Sequence, residues 1–336
     1  MDTAQQRVLV VASPAAQSRL EPLTPILQAR HLTPLVRSPH EELLAQDKAS
    51  PPVAALLFGD PDAEPAEAIA ALKPTLTTFQ PQALRFTTLV MTHRRGSQAL
   101  LEALHVDASP SHILSWHDPD LWHQVGLGLD TQLSAARPVW GPEPYMGEGA
   151  EQMVRDIRSS LQRDELLAEL SEFARARGVH RRINTLVQSV ADEFIINAVY
   201  NAPVDDKGVH RYARQSRTEP VFLPPEDSST LRAAFDDQRL VLSVVDPFGS
   251  LSPRTVWSYL VRGLRRGDDQ IEYKEGGAGL GLFTVLESTT RFAIQIRPGQ
   301  GTEMLAVFER PQAYRLCLGQ PKSLKVCFTP PPSAKG

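Results

Sequence analysis

A stretch rich in proline and glycine divides the chain near its middle. Residues 135–149 read AARPVWGPEPYMGEG and contain three prolines and three glycines. Proline cannot continue a helix or donate to a sheet ladder, and glycine strongly favours turns and loops. The chain has 336 residues, about twice a common domain length. We therefore predict an N-terminal domain over 1–134, a linker over 135–150, a second domain over 151–311, and a C-terminal hairpin with a disordered tail over 312–336.

Short apolar runs alternate with helical patterns before this stretch. Such alternation is typical of a parallel sheet covered by helices. Five βα units predict an α/β, flavodoxin-like domain. The first covering helix is expected over 18–32, where leucine and isoleucine recur at helical spacing. The predicted strands are 7–12, 33–36, 53–58, 87–91 and 112–115.

The second half has a different pattern, which predicts an α+β domain. Helices are expected over 151–178 and over about 182–201, and Gly178 is well placed to end the first. The first helix would be long enough to pair with another copy, so a homodimer is possible. The predicted strands form two hairpins, 230–235 with 240–245 and 292–297 with 303–309.

Charge and apolar content exclude several kinds of partner. The chain has 35 basic and 39 acidic residues, so it lacks the positive excess that nucleic-acid binding requires. No apolar run approaches the roughly 20 residues needed to cross a bilayer, which favours a soluble cytoplasmic protein without a membrane partner. Cys317 and Cys327 are interpreted as reduced strand residues.

The segment DEFIINAVYNA, residues 192–202, places polar groups on one side of a helix. Glu193, Asn197 and Asn201 are spaced i, i+4 and i+8 and so share a face. Mg²⁺ prefers hard oxygen ligands and usually keeps waters and phosphate oxygens, so one amide oxygen can be its main protein ligand. Taken alone, the segment also fits an ordinary amphipathic helix with its polar face in water.

The segment LVLSVVDPFGSL, residues 240–251, is an apolar strand that ends at Asp246. A carboxylate at a strand end can accept a hydrogen bond from the amino group of adenine, which discriminates against guanine. Taken alone, Asp-Pro-x-Gly also fits a plain turn.

The run EGGAGLGLF, residues 275–283, directly precedes a helical pattern and contains four glycines in six residues. Glycine lets the backbone approach phosphate oxygens closely, and the following helix would direct its free N–H groups at them. Glycine costs about 1 kcal/mol per helical position, so packing alone does not explain this run. The segment favours phosphate binding.

In order and spacing these three segments resemble the N box, the first glycine box and the second glycine box of histidine-kinase-like (GHKL) ATPases. GTEMLAVF at 301–308 resembles the closing strand of the same fold. The resemblance covers roughly residues 165–310 and is closer to anti-sigma-factor serine kinases than to full sensor kinases. It implies a two-layer α+β sandwich that binds ATP and Mg²⁺.

The resemblance also implies residue roles. Asn197 would be the Mg²⁺ ligand, Glu193 the catalytic base or water-orienting group, and Asp246 the adenine contact. Gly277, Gly279 and Gly281 would shape the phosphate-binding end of the lid. The other residues placed at the nucleotide are Asn201, Gly249, Lys274, Leu280 and Thr302. The segment 251–275 resembles the ATP lid, and its basic residues are Arg254, Arg262, Arg265, Arg266 and Lys274.

Two features depart from the family pattern. Phe248 and Ser250 stand where the first glycine box usually has glycines, which affects the adenine pocket. No H-box pattern precedes the N box. The nearest histidine, His180, lies at a helix junction, where a surface or capping role is expected.

The N-terminal domain resembles the receiver domain of two-component regulators over residues 7–133, by its five βα units and by Thr92 after the fourth strand. Ala12 and Ser13 replace the acidic pair that would bind Mg²⁺, and SWHDP lacks the lysine expected after strand five. Asp60 is therefore poorly equipped for phosphorylation. We expect a pseudo-receiver that docks a signalling partner.

Together these features predict a bacterial signalling protein that binds Mg-ATP, as a protein kinase or an ATP-dependent regulator of its partner. The alternative is a non-catalytic interaction protein with a vestigial nucleotide site. Nucleotide binding separates the two.

Overall fold

A computed structural model describes residues 6–39, 52–79, 86–92, 111–133, 140–264 and 281–329. The chain divides into two compact units. Unit 1 comprises Met1–Pro138 and Pro321–Cys327, and unit 2 comprises Val139–Gln320 and Phe328–Gly336. Within the described ranges, no helix is long and apolar enough to cross a membrane.

Unit 1 is built on five parallel strands in the order β2-β1-β3-β4-β5. This is the strand order of flavodoxin-like doubly wound sheets. All five predicted strands are found to within one residue at either end, because buried parallel strands are continuous apolar runs that the sequence displays locally. The strands are β1 (Arg7–Ala12), β2 (Thr33–Arg37), β3 (Ala54–Phe58), β4 (Phe86–Met91) and β5 (His112–Ser115).

Among the described residues of unit 1, the helix after β1 differs from the prediction. The single helix expected over 18–32 is wrong, since the segment forms α2 (Leu23–Gln28) behind a short α1 (Pro14–Gln17). Pro22 stands directly before α2 and has no N–H with which to continue a helix through this point. The described residues of unit 1 also form α3 (Pro65–Phe79) and α4 (Leu121–Leu133), whereas the segments after β2 and β4 lie outside the described residues.

The C-terminal segment completes unit 1. Strand β11 (Ser323–Phe328) pairs antiparallel with β5, with Leu324 opposite Ile113, and Cys327 is buried in the core of unit 1. The predicted C-terminal hairpin is therefore wrong, because the strand's partner is more than 200 positions away along the chain. Cys317 lies in helix α9 (Tyr314–Gly319) rather than in a strand, and both cysteines are buried.

Unit 2 contains an antiparallel sheet in the order β9-β10-β8-β7-β6. Both predicted hairpins are confirmed, β7 with β8 and β9 with β10. The strands are β6 (Glu151–Ile157), β7 (Ser229–Phe235), β8 (Arg239–Asp246), β9 (Arg291–Arg297) and β10 (Gly301–Glu309).

The helix predicted over 151–178 is wrong in its first half, which forms strand β6. Met153 and Ile157 are its buried residues, and their spacing of four imitates a helical face. The helix begins only at α5 (Arg163–Ala176). The long helix on which the expected homodimer depended is therefore not formed, and the homodimer stays a prediction without that support.

Helix α6 (Arg181–Ile196) packs beside α5, and α8 (Gly281–Ser288) contacts both α6 and α7 (Pro253–Leu264). Phe194 of α6 stacks on Phe292 of β9 with ring centroids 6.1 Å apart. The helix face of the sheet therefore includes the side of β9 that carries Phe292.

Candidate functional site

Helix α6 carries the first group of predicted site residues. Its apolar positions Ile183, Val187, Val190 and Phe194 are buried, which fixes the rotation of the helix against the sheet. His180 caps its start, where Nδ1 accepts a hydrogen bond from the N–H of Arg182 at 3.2 Å. The capping role expected for this histidine is thus confirmed.

The last turn of this helical segment, Asn197–Asn201, is a π-helical turn. Such turns are rare and often occur at functional sites. The amide of Asn197 donates to both the backbone carbonyl and Oε1 of Glu193, each at 2.8 Å. The amide of Asn201 donates to Oδ1 of Asn197, also at 2.8 Å. The three residues predicted to share a face therefore form one hydrogen-bonded ladder.

Glu193 is half-buried, and this burial raises the pKa of its carboxyl group. The hydrogen bond from Asn197 and the charge of Arg217 act in the opposite direction, while neighbouring Asp192 raises the pKa further. A carboxylate with a raised pKa binds a proton more readily than an exposed one. Glu193 is therefore suited to accept a proton during a reaction.

The start of helix α8 lies against Glu193. A Cβ built on Gly281 would stand 2.0 Å from both Cδ and Oε1 of the Glu193 carboxyl group. Only glycine fits there without displacing Glu193. Gly281, the last glycine of the run EGGAGLGLF, is thereby in contact with Glu193 of DEFIINA, 88 positions earlier in the chain.

Asp246 ends strand β8 and is almost completely buried, with 7% of its surface exposed. Its Oδ1 accepts hydrogen bonds from the N–H groups of Phe248 and Gly249, at 2.9 and 3.3 Å. Burial raises the pKa of Asp246 to about 6, against the opposing effect of these hydrogen bonds. An acidic group at this depth is unusual unless a partner or a function requires it.

In the turn after Asp246, Phe248 and Ser250 contact other parts of unit 2. Gly249 has φ +63°, and a Cβ there would lie 2.1 Å from the carbonyl oxygen of Arg297, so this glycine is required. Ser250 donates its hydroxyl to the carbonyl of Ala202 at 2.7 Å, and the ring of Phe248 lies 5.4 Å from the guanidinium of Arg211. These contacts attach the turn to the chain that follows the Asn197–Asn201 turn.

The sheet register places Asp246 and Thr302 together. Thr302 of β10 lies opposite both Asp246 of β8 and Ile296 of β9, and opposite residues share a face of the sheet. Ile296 is four positions from Phe292 and on the same face. Asp246 and Thr302 thus belong to the helix-covered face, and both α6 and the Asn197–Asn201 turn contact β8.

Several predicted site residues cannot be placed. Lys274, Gly277, Gly279 and Leu280 lie outside the described residues, as do Arg265 and Arg266 of the expected lid. The described part of that segment is 251–264, in which 253–264 form helix α7 and include Arg254 and Arg262. Gly263 of α7 packs tightly on α8, since a Cβ there would lie 2.3 Å from Cγ of Phe283.

Arg217 is a site residue that the sequence did not reveal. Its Nη2 donates to Oδ1 of Asn201 at 3.1 Å, and its guanidinium lies 4.2 Å from the centroid of the Tyr200 ring. The residue is half-buried on the irregular segment that follows the π-helical turn. No spacing rule connects it to Asn201, and a charged loop residue is by default solvated.

In unit 1, the position resembling a phosphorylation site is occupied by structural contacts. Oδ1 of Asp60 accepts the N–H of Asp62 at 2.9 Å, the indole of Trp116 donates to the carbonyl of Gly59 at 3.0 Å, and the hydroxyl of Thr92 donates to the carbonyl of Pro61. Ser13 caps α1 by accepting the N–H of Ala16 at 3.1 Å. The bonds of Trp116 and Thr92 therefore join the segments that follow β5 and β4 to the segment that follows β3.

Within the described ranges, no three His, Cys, Asp or Glu side chains are grouped so that they could hold a metal ion. Comparison with protein-family models and with curated proteins finds no match to this chain.

Proposed function

We propose that unit 2 binds Mg-ATP as a GHKL-type domain, within a cytoplasmic signalling protein that acts on a partner docked on receiver-like unit 1. The observation that carries the proposal is the contact between Gly281 and the Glu193 carboxylate. It supports a single site formed from motifs that lie far apart in the sequence.

The donor groups present suit this ligand. Mg²⁺ that shares phosphate oxygens needs few protein ligands, and the Asn197 amide supplies an oxygen while its N–H groups are held by Glu193. Asp246 supplies a buried carboxylate on the helix-covered face of the sheet. Recognition of the adenine amino group requires such a hydrogen-bond acceptor. Gly281, at the start of α8, has no side chain of its own, and the Glu193 carboxyl group lies where its Cβ would be.

The chemistry follows from these groups. Bound Mg²⁺ would neutralise charge on the phosphate oxygens. Asn197 contributes a fixed amide oxygen, whose direction is set by its hydrogen bonds to Glu193 and Asn201. Glu193 accepts a proton from the attacking hydroxyl or water, a role that its burial and raised pKa support. The reaction is then transfer or hydrolysis of the γ-phosphate, by which the protein acts as a kinase or an ATP-dependent regulator.

A second candidate is a non-catalytic interaction protein with a vestigial nucleotide site. The turn after Asp246 favours it, because Oδ1 of Asp246 already accepts two backbone N–H groups and Ser250 is committed to Ala202. The retained Glu193 and Asn197 ladder favours the catalytic proposal instead.

Ligand-dependent melting of the full chain separates the two candidates. A ligand that binds only the folded state stabilises it by about 2.7 kcal/mol at a hundredfold excess over Kd. We expect ATP with Mg²⁺ to raise the melting temperature, and GTP to raise it less. No shift with millimolar nucleotide would favour the interaction protein.

A further inference from the structure

The hydrogen bonds of the ladder run in one direction only. A guanidinium can only donate and an ionised carboxylate can only accept, so Arg217 and Glu193 fix the two ends. Asn201 must present its oxygen to Arg217 and its N–H to Asn197. Asn197 must then present its oxygen to Asn201 and its N–H to Glu193.

Arg217 is itself held in place by the residues beside the ladder. The hydroxyl of Tyr200 donates to the carbonyls of Arg217 and Glu219 at 3.3 and 3.1 Å, while its ring lies beneath the guanidinium at 4.2 Å. A cation over an aromatic face gains further attraction when partly desolvated. Tyr200 and Asn201, neighbours in the π-helical turn, therefore fix the backbone and the side chain of Arg217.

We propose that Arg217 is a positioning residue that holds Asn201 on the oxygen of the Asn197 amide, and so keeps that oxygen directed towards the metal of a bound nucleotide. This inference rests on the proposed function. A carboxamide can rotate and exchange its oxygen and nitrogen. Without a donor at 217, Asn201 loses the hydrogen bond that fixes its oxygen and can move away from Asn197. The N–H side of Asn197 stays on Glu193, but its oxygen then lacks the hydrogen bond from Asn201 that directs it.

Groups that orient a metal ligand typically change metal affinity by 10- to 100-fold when removed. We therefore expect Arg217→Gln, whose shorter side chain also lacks the charge, to lose about that factor of the Mg²⁺-dependent part of ATP affinity. Affinity measured in EDTA should hardly change. Arg217→Lys keeps a cationic donor and should retain most of the Mg²⁺ effect.

Asn201→Asp distinguishes orientation from simple tethering. The new carboxylate pairs more strongly with Arg217 but cannot donate to Asn197. If Arg217 orients the ladder, N201D loses the Mg²⁺ effect as R217Q does. If Arg217 only tethers the loop that carries it, N201D keeps the Mg²⁺ effect on ATP affinity, and the inference is wrong. Arg214→Gln, an exposed position on the same segment, is the matched control and should behave as wild type.

The experiment compares ATP binding by the full chain with Mg²⁺ and with EDTA, and records the side-chain amide NMR signals of Asn197 without nucleotide. Displaced Asn197 signals in both R217Q and N201D, but not in R214Q, support the inference. Unchanged signals in both variants overturn it. Displaced signals in a wild-type background that binds no ATP would leave the positioning role intact and reject the proposed function.

Discussion

The Cα of Gly281 lies so near Glu193 that a Cβ added to it would stand 2.0 Å from the carboxylate Oε1. The clash would be with the far end of a flexible side chain, which can swing away. A larger residue at 281 should therefore displace Glu193 from Asn197 rather than unfold unit 2.

We expect Gly281→Ala to change the free energy of unfolding by less than about 1 kcal/mol, below the usual cost of overpacking a rigid core. Gly281→Ala should lower ATP turnover nearly as much as Glu193→Gln does. In a protein that already carries Glu193→Gln, it should lower turnover little further. Gly319→Ala, where a Cβ meets no atom within 4 Å, is the control. Additive effects in the double mutant would contradict this coupling.

Glu193→Gln tests the proton acceptor. General acid–base groups typically contribute 10²- to 10⁴-fold, so turnover should fall by about that factor with nucleotide affinity almost unchanged. Because burial raises the pKa of Glu193, the rate should rise with pH across a range above that of an exposed carboxyl group. Steady-state kinetics against pH provide the measurement. A variant with the wild-type profile would exclude Glu193 as the base.

Asp246→Asn should stabilise the protein at neutral pH. The native pKa of about 6 lies above the ordinary aspartate value of 3.8, so the native state holds this proton more tightly than the unfolded state. The contribution of Asp246 to stability therefore falls as pH rises from about 4 to 6, by up to about 3 kcal/mol. Asparagine does not ionise, so the variant should not lose this stability as the pH rises.

Melting curves at pH 4, 6 and 7.5 check this expectation. The variant should melt above wild type at pH 7.5, and the difference should close near pH 4. Asp206→Asn, at an exposed position, should show no such trend. A destabilised variant at pH 7.5 would mean that the native carboxylate is stabilised by its surroundings.

Removing strand β11 should destabilise unit 1. A chain that ends at Gln320 loses the buried side chains of Leu324, Val326 and Cys327, and burial of one large apolar side chain contributes about 1.5–3 kcal/mol. Hydrogen exchange should show β5 losing protection, whereas a chain ending at Thr329 should keep it. Unchanged protection of β5 in the shorter chain would contradict the assignment of β11 to unit 1.

Local patterns explain which features the sequence predicts. The parallel strands of unit 1 are apolar runs that can be recognised within six residues, and the i, i+4, i+8 spacing of Glu193, Asn197 and Asn201 does bring them together. The sequence misassigns β6, because Met153 and Ile157 have helical spacing on an edge strand.

Long-range pairings explain what the sequence does not predict. Strand β11 pairs with β5 across most of the chain, and Arg217 reaches Asn201 through an irregular segment, so neither has a local signal. Glu303 is a further case. It is buried and accepts hydrogen bonds from Ser243, Gln295 and the N–H of Gly141 in the proline-rich stretch, although its position in β10 resembles any polar strand residue.

Calorimetric titration of ATP into the full chain, with Mg²⁺ present, measures directly whether the protein binds Mg-ATP. We expect one site per chain, with Asn197→Ala weakening binding in Mg²⁺ more than in EDTA, because the substitution removes an oxygen ligand. Absence of heat and of saturation at millimolar ATP, or equal loss with and without Mg²⁺ in the variant, would contradict it.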